Sequence, residues 1–222
     1  MENRYSAFIF DMDGTLVDNM SFHFESWIEY LTELGAKPDP RTFMELTAGK
    51  INPEIFRMFL GADMTDEQIA FHAAEKEDRY RRLYTPHMRP MPGLVEFLQQ
   101  ARATGMLLGV ATAANWENVE FVLQGIGLRE AFDTIVTADD ITRGKPDPEI
   151  FLIAAQRLGV PSARCLVFED SLMGIEAAHR AGMDSVALTT TITAQKVSGL
   201  TGVKLTAVDY SALNPATLSA AG

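Results

Sequence analysis

Short apolar segments recur along the chain, separated by longer stretches in which apolar residues repeat at helical spacing. Four of the short segments have the length and composition of buried strands, namely residues 7–10, 107–112, 134–137 and 165–168. Two weaker segments, residues 185–188 and 205–208, continue the series toward the carboxyl terminus. Because strands buried on both faces are typical of parallel sheets, the pattern predicts a parallel sheet.

Helical patterns lie between the strand segments. One pattern ends at Gly105, and its apolar face consists of Leu94, Phe97, Leu98 and Ala101. A second follows Pro148 and ends at Gly159, and a third begins after Ser171, a potential N-cap, and ends at Gly182. Strands that alternate with helices of this size imply right-handed crossovers, so we expect the α/β class with a doubly wound sheet.

One interval, from about residue 17 to residue 85, interrupts this alternation because it contains helical patterns only. Its first helix ends at Gly35, and its apolar face consists of Phe24, Trp27, Ile28 and Leu31. Asn52 before Pro53 predicts a second helix with Asn52 as N-cap, and Thr65 with Gln68 predicts a capping box for a third that reaches Tyr84. The pattern predicts a helical module inserted after the first strand, with its return through the Pro- and Gly-rich segment 86–93.

Composition narrows the classes of partner. The 222 residues carry a formal net charge of −11, which disfavours nucleic acid as the main partner because binding it requires a basic surface. The single cysteine, Cys165, lies in an apolar segment and excludes a disulfide framework. The first six residues do not resemble a secretory leader, and no segment has the length of a membrane span, so we expect a soluble, cytoplasmic protein with no membrane partner.

Two aspartates follow the first strand segment directly. Asp11 and Asp13 are two residues apart, so on an extended backbone their carboxylates lie on the same side. Such groups repel each other unless a cation or a shared proton relieves them, which indicates a metal site or a nucleophile paired with an acid/base. On these two residues alone, ordinary loop carboxylates are an equally good interpretation.

Polar residues also end the other predicted strands. Thr112 ends the second, Glu169 and Asp170 end the fourth, and Lys145 lies beyond the third. Ligands of open α/β sheets bind at the carboxyl ends of the strands, where these side chains are expected to converge. Four carboxylates at one edge require compensation, and an all-oxygen site suits Mg²⁺.

Each of these residues also has a structural explanation when it is considered alone. Thr112 is a β-branched residue of the kind that strands favour, and an isolated lysine such as Lys145 is usually a solvated loop residue. Glu169 and Asp170, just before Ser171, would complement the dipole of the following helix. All of these explanations would have to hold at once for the site to be absent.

The chain resembles the haloacid dehalogenase-like phosphatases over essentially its whole length. Four motifs carry the resemblance in the family's order, namely Asp11-Met12-Asp13-Gly14-Thr15, Thr112 after Gly109-Val110-Ala111, Lys145 in Gly-Lys-Pro-Asp-Pro-Glu, and Glu169-Asp170-Ser171. The resemblance implies a Rossmann-like catalytic core of residues 1–16 and 86–222 and a small α-helical cap domain of residues 17–85. The cap and the last two motifs are most similar to the subgroup of β-phosphoglucomutase and sugar-phosphate phosphatases.

The resemblance also implies a mechanism. Asp11 attacks phosphorus and forms an aspartyl-phosphate, while Asp13 protonates the leaving oxygen and later activates water. Mg²⁺ bridges Asp11 and a phosphate oxygen and is also held by the Asp13 carbonyl and Asp170, with Glu169 a further ligand or a partner behind the ligands. The remaining phosphate oxygens are held by two residues, Thr112 and Lys145.

The cap is expected to determine substrate choice. His23, in the first helical turn, is predicted to contact substrate or to relay a proton to Asp13, although an exposed histidine at a helix start is an equally good interpretation. The subgroup uses a loop at Gly49 and Lys50 for substrate contact, which makes these two residues candidates, whereas Asn52 beside them is expected only to cap its helix. Lys76 matches a cap lysine of the mutase-like members, with a solvated helix face as the alternative because Glu75 and Glu77 flank it.

Departures from the mutase pattern favour hydrolysis. A mutase needs a cap arginine for its second phosphate, and the loop 47–52 has none, although Lys50 is a possible substitute. Ala113, a candidate substrate contact, and Ala114 stand where mutase-like members carry a further hydroxyl. We therefore expect a Mg²⁺-dependent phosphatase, a monomer, that acts on a small phosphorylated metabolite such as a sugar phosphate. The alternatives are a β-phosphoglucomutase-type phosphomutase and a receiver-like phospho-accepting signalling domain.

Overall fold

The computed structural model describes residues 4–220 and contains one sheet in which the named strands all run parallel. The strand order across the sheet is β3-β2-β1-β4-β5-β6. The strands are β1 (Ala7–Phe10), β2 (Leu107–Ala111), β3 (Thr134–Val136), β4 (Cys165–Glu169), β5 (Asp184–Leu188) and β6 (Val203–Ala207). The order reverses at β1, and this topology confirms the predicted doubly wound α/β fold.

Helices connect the strands on both faces of the sheet. Those that follow the return to the sheet are α5 (Leu94–Ala103), α6 (Trp116–Gly125), α7 (Glu149–Leu158), α8 (Leu172–Arg180), α9 (Ala194–Val197) and α10 (Pro215–Ala220). Ser171 caps α8, because its side chain accepts the Gly174 N–H, as predicted. Helix α6 was not predicted from the sequence. Within residues 4–220, every helix is too short or too polar to cross a membrane.

Four helices lie between β1 and the return to the sheet. They are α1 (Met20–Glu33), α2 (Phe43–Thr47), α3 (Asn52–Leu60) and α4 (Asp66–Tyr84). The predicted capping box of Thr65 and Gln68 is present at the start of α4. The predicted cap at α3 is wrong by one position, because Ile51 is the N-cap and Asn52 is the first helical residue. The side chain of Asn52 is directed instead to Glu77 on α4.

The helical interval has its own hydrophobic cluster, and this supports a cap of residues 17–85 as a proposed unit. Its buried members come only from α1 to α4 and are Trp27, Tyr30, Leu31, Phe43, Ile55, Phe56 and Ile69. Val17, Tyr80 and Tyr84 belong instead to the main core, so both ends of the interval pack against the sheet domain.

The sheet separates the main core into two layers. Alternate residues of β1 point to opposite faces, so Phe8 and Phe10 join one cluster while Ala7 and Ile9 join the other. In the first layer the Phe10 and Phe168 rings stack with centroids 4.6 Å apart. Cys165 is buried in the second layer, and burial raises the pKa of its thiol to about 12, in agreement with a packing role.

The Phe10 side chain fixes the end of β1 directly before Asp11, which leads to a stability prediction. We expect Phe10→Ala to lower the free energy of unfolding by about 3–5 kcal/mol, because a fully buried ring is replaced by a cavity. Phe71, whose side chain is 63% exposed, provides the control, and Phe71→Ala should change the value by less than about 0.5 kcal/mol. Urea unfolding of both variants measures the difference, and equal losses would contradict this description of the core.

Candidate active site

Asp11 and Thr112 lie near each other because they follow neighbouring strands, β1 and β2, at the same edge of the sheet, next to the end of β4. Phe10 is paired with Val110 of β2 and with Phe168 of β4, so the residues that follow them lie at one level of the sheet. The Asp11 N–H donates to the Phe168 carbonyl at 3.0 Å, and the Thr112 N–H donates to the Val136 carbonyl at 3.0 Å. Backbone hydrogen bonds of the sheet therefore fix the positions from which these two side chains extend.

Lys145 lies at the centre of a buried charge cluster. Its Nζ donates to Asp11 Oδ1 at 2.6 Å and to Glu169 Oε1 at 2.8 Å. The side chain is 2% exposed, and its ammonium lies 5.0 Å from the centre of the Phe151 ring. The structure thus brings together residues from the loops after β1 and β3 and from the end of β4. Solvation of Lys145, the alternative considered from sequence, is ruled out by this burial.

Negative charge exceeds positive charge in this cluster. Three carboxylates, those of Asp11, Glu169 and Asp170, are buried around one ammonium. Burial raises the pKa of Asp11 to about 8, against the opposing attraction of Lys145, and the Glu169 charge raises it further. Burial, with Glu169 and Asp11, also raises the pKa of Asp170 well above its ordinary value. A divalent cation would relieve this excess and hold both carboxylates ionised.

The donor set of the cluster fits Mg²⁺. One oxygen from each of Asp11, Glu169 and Asp170 lies within 4.8 Å of the others, and hard oxygen ligands are those that Mg²⁺ prefers. Asp11 uses Oδ1 for Lys145, and Asp170 Oδ2 has one long contact, 3.4 Å from Thr190 Oγ1. These two carboxylates therefore retain lone pairs for a cation.

Glu169, in contrast, is fully occupied by the protein. Its Oε1 accepts from Lys145, and its Oε2 accepts the Asp170 N–H at 2.6 Å and the Ser171 N–H at 3.0 Å. The Ser171 hydroxyl lies 3.2 Å from Oε1. This arrangement favours Glu169 as the residue that orients Lys145 and the loop, rather than as a direct metal ligand.

Two glycines let the carboxylates approach the backbone closely. A Cβ on Gly14, which has a φ of +81°, would lie 2.1 Å from Asp170 Oδ2. A Cβ on Gly174, in the first turn of α8, would lie 1.6 Å from Glu169 Oε1. Only glycine leaves room for these two carboxyl groups, because distances under 3 Å do not occur for real Cβ contacts.

Asp13 lies beside a set of polar groups from the cap. Asn19 Nδ2 donates to Asp13 Oδ1 at 2.6 Å, and Asn19 Nδ2 also lies 2.6 Å from the Tyr80 hydroxyl. His23 Nε2 is 3.6 Å from the same Asp13 oxygen. The Asn19 contact was not predicted, because an asparagine before a helix is usually interpreted as an N-cap, and here its side chain makes no cap hydrogen bond.

A cavity of about 230 Å³ lies between the sheet edge and the cap helices. All the residues predicted for the site line it, namely Asp11, Asp13, His23, Gly49, Lys50, Lys76, Thr112, Ala113, Lys145, Glu169 and Asp170. Its wall on the cap side includes apolar side chains of Phe24, Trp27, Phe43, Met44 and Ile55. Trp27, which the sequence places on the apolar face of its helix, therefore both packs in the cap cluster and borders the cavity.

The loop at Gly49 and Lys50 rests against the Lys145 loop. Gly49 has a φ of +75°, and a Cβ there would lie 2.7 Å from the Cβ of Lys145. The Gly144 N–H donates to Glu54 Oε1 at 3.4 Å, so the start of α3 also contacts this loop. These contacts hold the cap over the charge cluster.

Lys76 is buried, which overturns the alternative of a solvated helix face. Its side chain is 1% exposed, and its Nζ lies 3.1 Å from both His23 Nδ1 and Glu77 Oε1. His23 stacks on the Tyr80 ring at 3.6 Å and is only 12% exposed, so an exposed histidine is also excluded. The flanking Glu75 and Glu77 misled the sequence interpretation because only Glu75 is exposed.

Comparison with known proteins agrees with this geometry. A model of the haloacid dehalogenase-like hydrolases matches residues 5–182. The chain is 35% identical to fructose-1-phosphate phosphatase YqaB of Escherichia coli over 186 residues, which cover 84% of this chain and 97% of that protein.

Solved structures show the same architecture. One is a haloacid dehalogenase hydrolase of family IA, variant 3, from Entamoeba histolytica, with a TM-score of 0.85 and 27% identity over 99% of this chain and 98% of that one. Another is a β-phosphoglucomutase from Clostridium difficile, with a TM-score of 0.83 and 26% identity over 96% of this chain and 95% of that one. On these matches and the four motifs assembled at the sheet edge, the chain belongs to the haloacid dehalogenase-like hydrolase family.

Proposed function

We propose that the protein is a Mg²⁺-dependent phosphatase that hydrolyses a small phosphorylated metabolite, with sugar phosphates as the expected substrates, through an aspartyl-phosphate on Asp11. The observation that carries the proposal is the buried cluster of Asp11, Lys145, Glu169 and Asp170 beneath a cavity of about 230 Å³. The fructose-1-phosphate phosphatase named above supports a phosphorylated sugar as the substrate class.

Asp11 is the proposed nucleophile. Its Oδ1 is held by Lys145 at 2.6 Å, which fixes the carboxylate at the bottom of the cavity. Asp11, Asp170 and the Asp13 carbonyl would hold Mg²⁺, which when bound neutralises negative charge on the carboxylates and the phosphoryl group. An ionised, positioned carboxylate is then directed at phosphorus for in-line attack.

Thr112 and Lys145 are the proposed phosphate ligands. Thr112 Oγ1 accepts the Ala114 N–H at 3.1 Å, so the hydroxyl proton remains available for a phosphate oxygen. The Lys145 ammonium has three protons, two of which go to Asp11 and Glu169, leaving one for the phosphoryl group. Both groups would stabilise charge that develops on the phosphoryl oxygens.

Asp13 is the proposed acid and base. Its carboxyl accepts from Asn19 and lies beside His23, on the cap side of the charge cluster where a leaving group would depart. It would protonate the leaving oxygen and then take a proton from the water that hydrolyses the aspartyl-phosphate. The apolar cap wall would limit the access of bulk water during the first step.

A β-phosphoglucomutase-type phosphomutase is the second candidate, and the similarity to a solved β-phosphoglucomutase favours it. Among the residues that line the cavity, the cations are lysines, Lys50, Lys76, Lys145 and Lys196, and none is an arginine suited to bidentate binding of a second phosphate. An assay that follows glucose 6-phosphate formation and free phosphate release from β-glucose 1-phosphate in parallel separates the two functions.

Release of inorganic phosphate from a panel of phosphorylated metabolites tests the proposal. We expect Asp11→Asn to abolish turnover while the fold stays intact, because an amide does not attack phosphorus. Asp18→Asn is the matched control, since Asp18 is exposed and outside the cavity lining, and it should retain wild-type rates. Turnover by well-folded Asp11→Asn would contradict the nucleophile, and stable phosphorylation of Asp11 without turnover would favour the receiver-like alternative.

A second prediction concerns Asp13. We expect Asp13→Asn to lower kcat by about 10²–10⁴-fold on alkyl phosphates, the usual range for loss of an acid/base group. The loss should be much smaller for the first step with aryl phosphates, because their leaving groups need no proton. Burst kinetics with p-nitrophenyl phosphate measure that step. Equal losses for alkyl and aryl esters would contradict the acid role.

A third prediction concerns the metal. We expect saturating Mg²⁺ at about 100 times its Kd to stabilise the native state by about 2.7 kcal/mol, because it relieves repulsion present only in the folded protein. Exhaustive chelation should abolish phosphate release. Thermal unfolding with Mg²⁺ measures the stabilisation, and KCl at matched ionic strength is the control. The Asp170→Asn variant should be stabilised less by Mg²⁺. Activity that survives chelation would refute the metal site.

A further inference from the structure

Glu77 is a buried charge that the proposed chemistry does not use. It lies on α4 of the cap and is 3% exposed, whereas its neighbours Glu75 and Asp78 are exposed. Burial of a carboxylate is costly unless partners satisfy it, so its surroundings indicate why the residue is there.

Three donors from three helices satisfy the Glu77 carboxylate. Oε2 accepts from Asn118 Nδ2 of α6 at 2.6 Å, and Oε1 accepts from Asn52 Nδ2 of α3 at 2.9 Å and from Lys76 Nζ at 3.1 Å. Asn118 is itself oriented by Arg81, which donates to its Oδ1 at 3.0 Å. Burial alone would raise the pKa of Glu77, but the Lys76 ammonium and the hydrogen bonds from the two amides oppose it, and the pKa is lowered.

Glu77 is the carboxylate in contact with the Lys76 ammonium, and it favours the charged form of that lysine. Burial lowers the pKa of Lys76, and Glu77 is the first group that opposes the decrease. The other charged or titratable groups that face the pair are His23 on α1, Asp13 after β1, and Tyr80 and Arg81 on α4. The Lys76 ammonium also lies 4.5 Å from the centre of the Trp27 ring, an arrangement that is favourable only while the lysine is charged.

The charge of Lys76 in turn determines the tautomer of His23. An ammonium group has donors only, so His23 Nδ1, 3.1 Å away, accepts and the ring proton is on Nε2. That Nε2 is buried without a hydrogen-bond partner, and it lies 3.6 Å from Asp13 Oδ1. A neutral lysine would remove this constraint on the ring.

We infer that Glu77 is a positioning residue that keeps the Lys76 ammonium charged and fixed in the cavity wall, and through it directs the His23 Nε2–H toward Asp13. The role rests on the proposed phosphatase function and adds a residue to it. Glu77 acts through Lys76, and the side-chain amides of Asn118 and Asn52 hold its carboxylate in place.

The pH profile of kcat/KM tests the inference in the Glu77→Gln variant. The substitution keeps the shape but removes the charge, so Lys76 should lose its proton at lower pH. We expect the alkaline limb of the profile, measured with the best substrate of the panel, to move down by about 1–3 pH units, the range for loss of a close opposite charge. Glu75→Gln removes an equal charge from an exposed position on the same helix, and its limb should stay at the wild-type pH.

A double replacement separates this role from a general structural one. In the Lys76→Met background there is no ammonium to maintain, so adding Glu77→Gln should cause no further loss of kcat/KM. The double variant leaves neither buried charge without its partner, so it should fold even if Glu77→Gln alone is unstable. Multiplicative losses in the double variant, or a uniform loss in Glu77→Gln without a shifted limb, would overturn the inference.

A measurement without turnover distinguishes failure of this inference from failure of the proposed function. NMR titration of the lysine side-chain signals, with Lys76→Met to assign Lys76, should show the Lys76 pKa lowered in Glu77→Gln and unchanged in Glu75→Gln. An unmoved Lys76 pKa would refute the inference even in an active enzyme. Absence of phosphate release by the wild-type protein would refute the proposed function and leave this titration as the test.

Discussion

The buried ion pairs of Lys145 with Asp11 and Glu169 are the interaction on which the rest of the site depends. One ammonium joins residues from the loops after two strands and the end of a third, and it is itself enclosed by the Phe151 ring. Burial strengthens these contacts and also makes the remaining negative charge costly. A cation would relieve this excess of negative charge, which is the role that the proposed function gives to Mg²⁺.

Two charge clusters border the same cavity, one with an excess of carboxylates and one with a balanced ion pair. At the sheet edge, carboxylates outnumber cations, whereas in the cap Glu77 and Lys76 are paired and further satisfied by neutral amides. The first arrangement leaves capacity for a ligand, and the second leaves little. Under the proposed function, the sheet edge would perform the phosphoryl chemistry, and the cap would supply a preorganised wall.

The sequence predicted the sheet and the charge cluster well because both depend on local signals. Apolar runs mark the strands, and Asp11, Thr112 and Glu169 directly follow or end such runs, so the parallel topology alone brings them together. The burial of Lys76 and the asymmetry between Glu75 and Glu77 were not predictable, because they depend on how α4 packs against α1, α3 and α6. Asn118 was missed for the same reason, since its partners Arg81 and Glu77 lie on α4, distant in sequence. Asn19 differs, because its partner Asp13 is only six residues away and a residue before a helix is usually interpreted as a cap.

Gly174 contributes to the site through the space that its missing side chain leaves, although it has no functional group. It occupies the first turn of α8, and the Glu169 carboxylate fills the space where its side chain would be. Any mutation there must displace Glu169 or the helix, and displacement of Glu169 would release Lys145 from its second partner. The lack of a side chain at this position is therefore part of how Lys145 is held, although glycine itself has no reactive group.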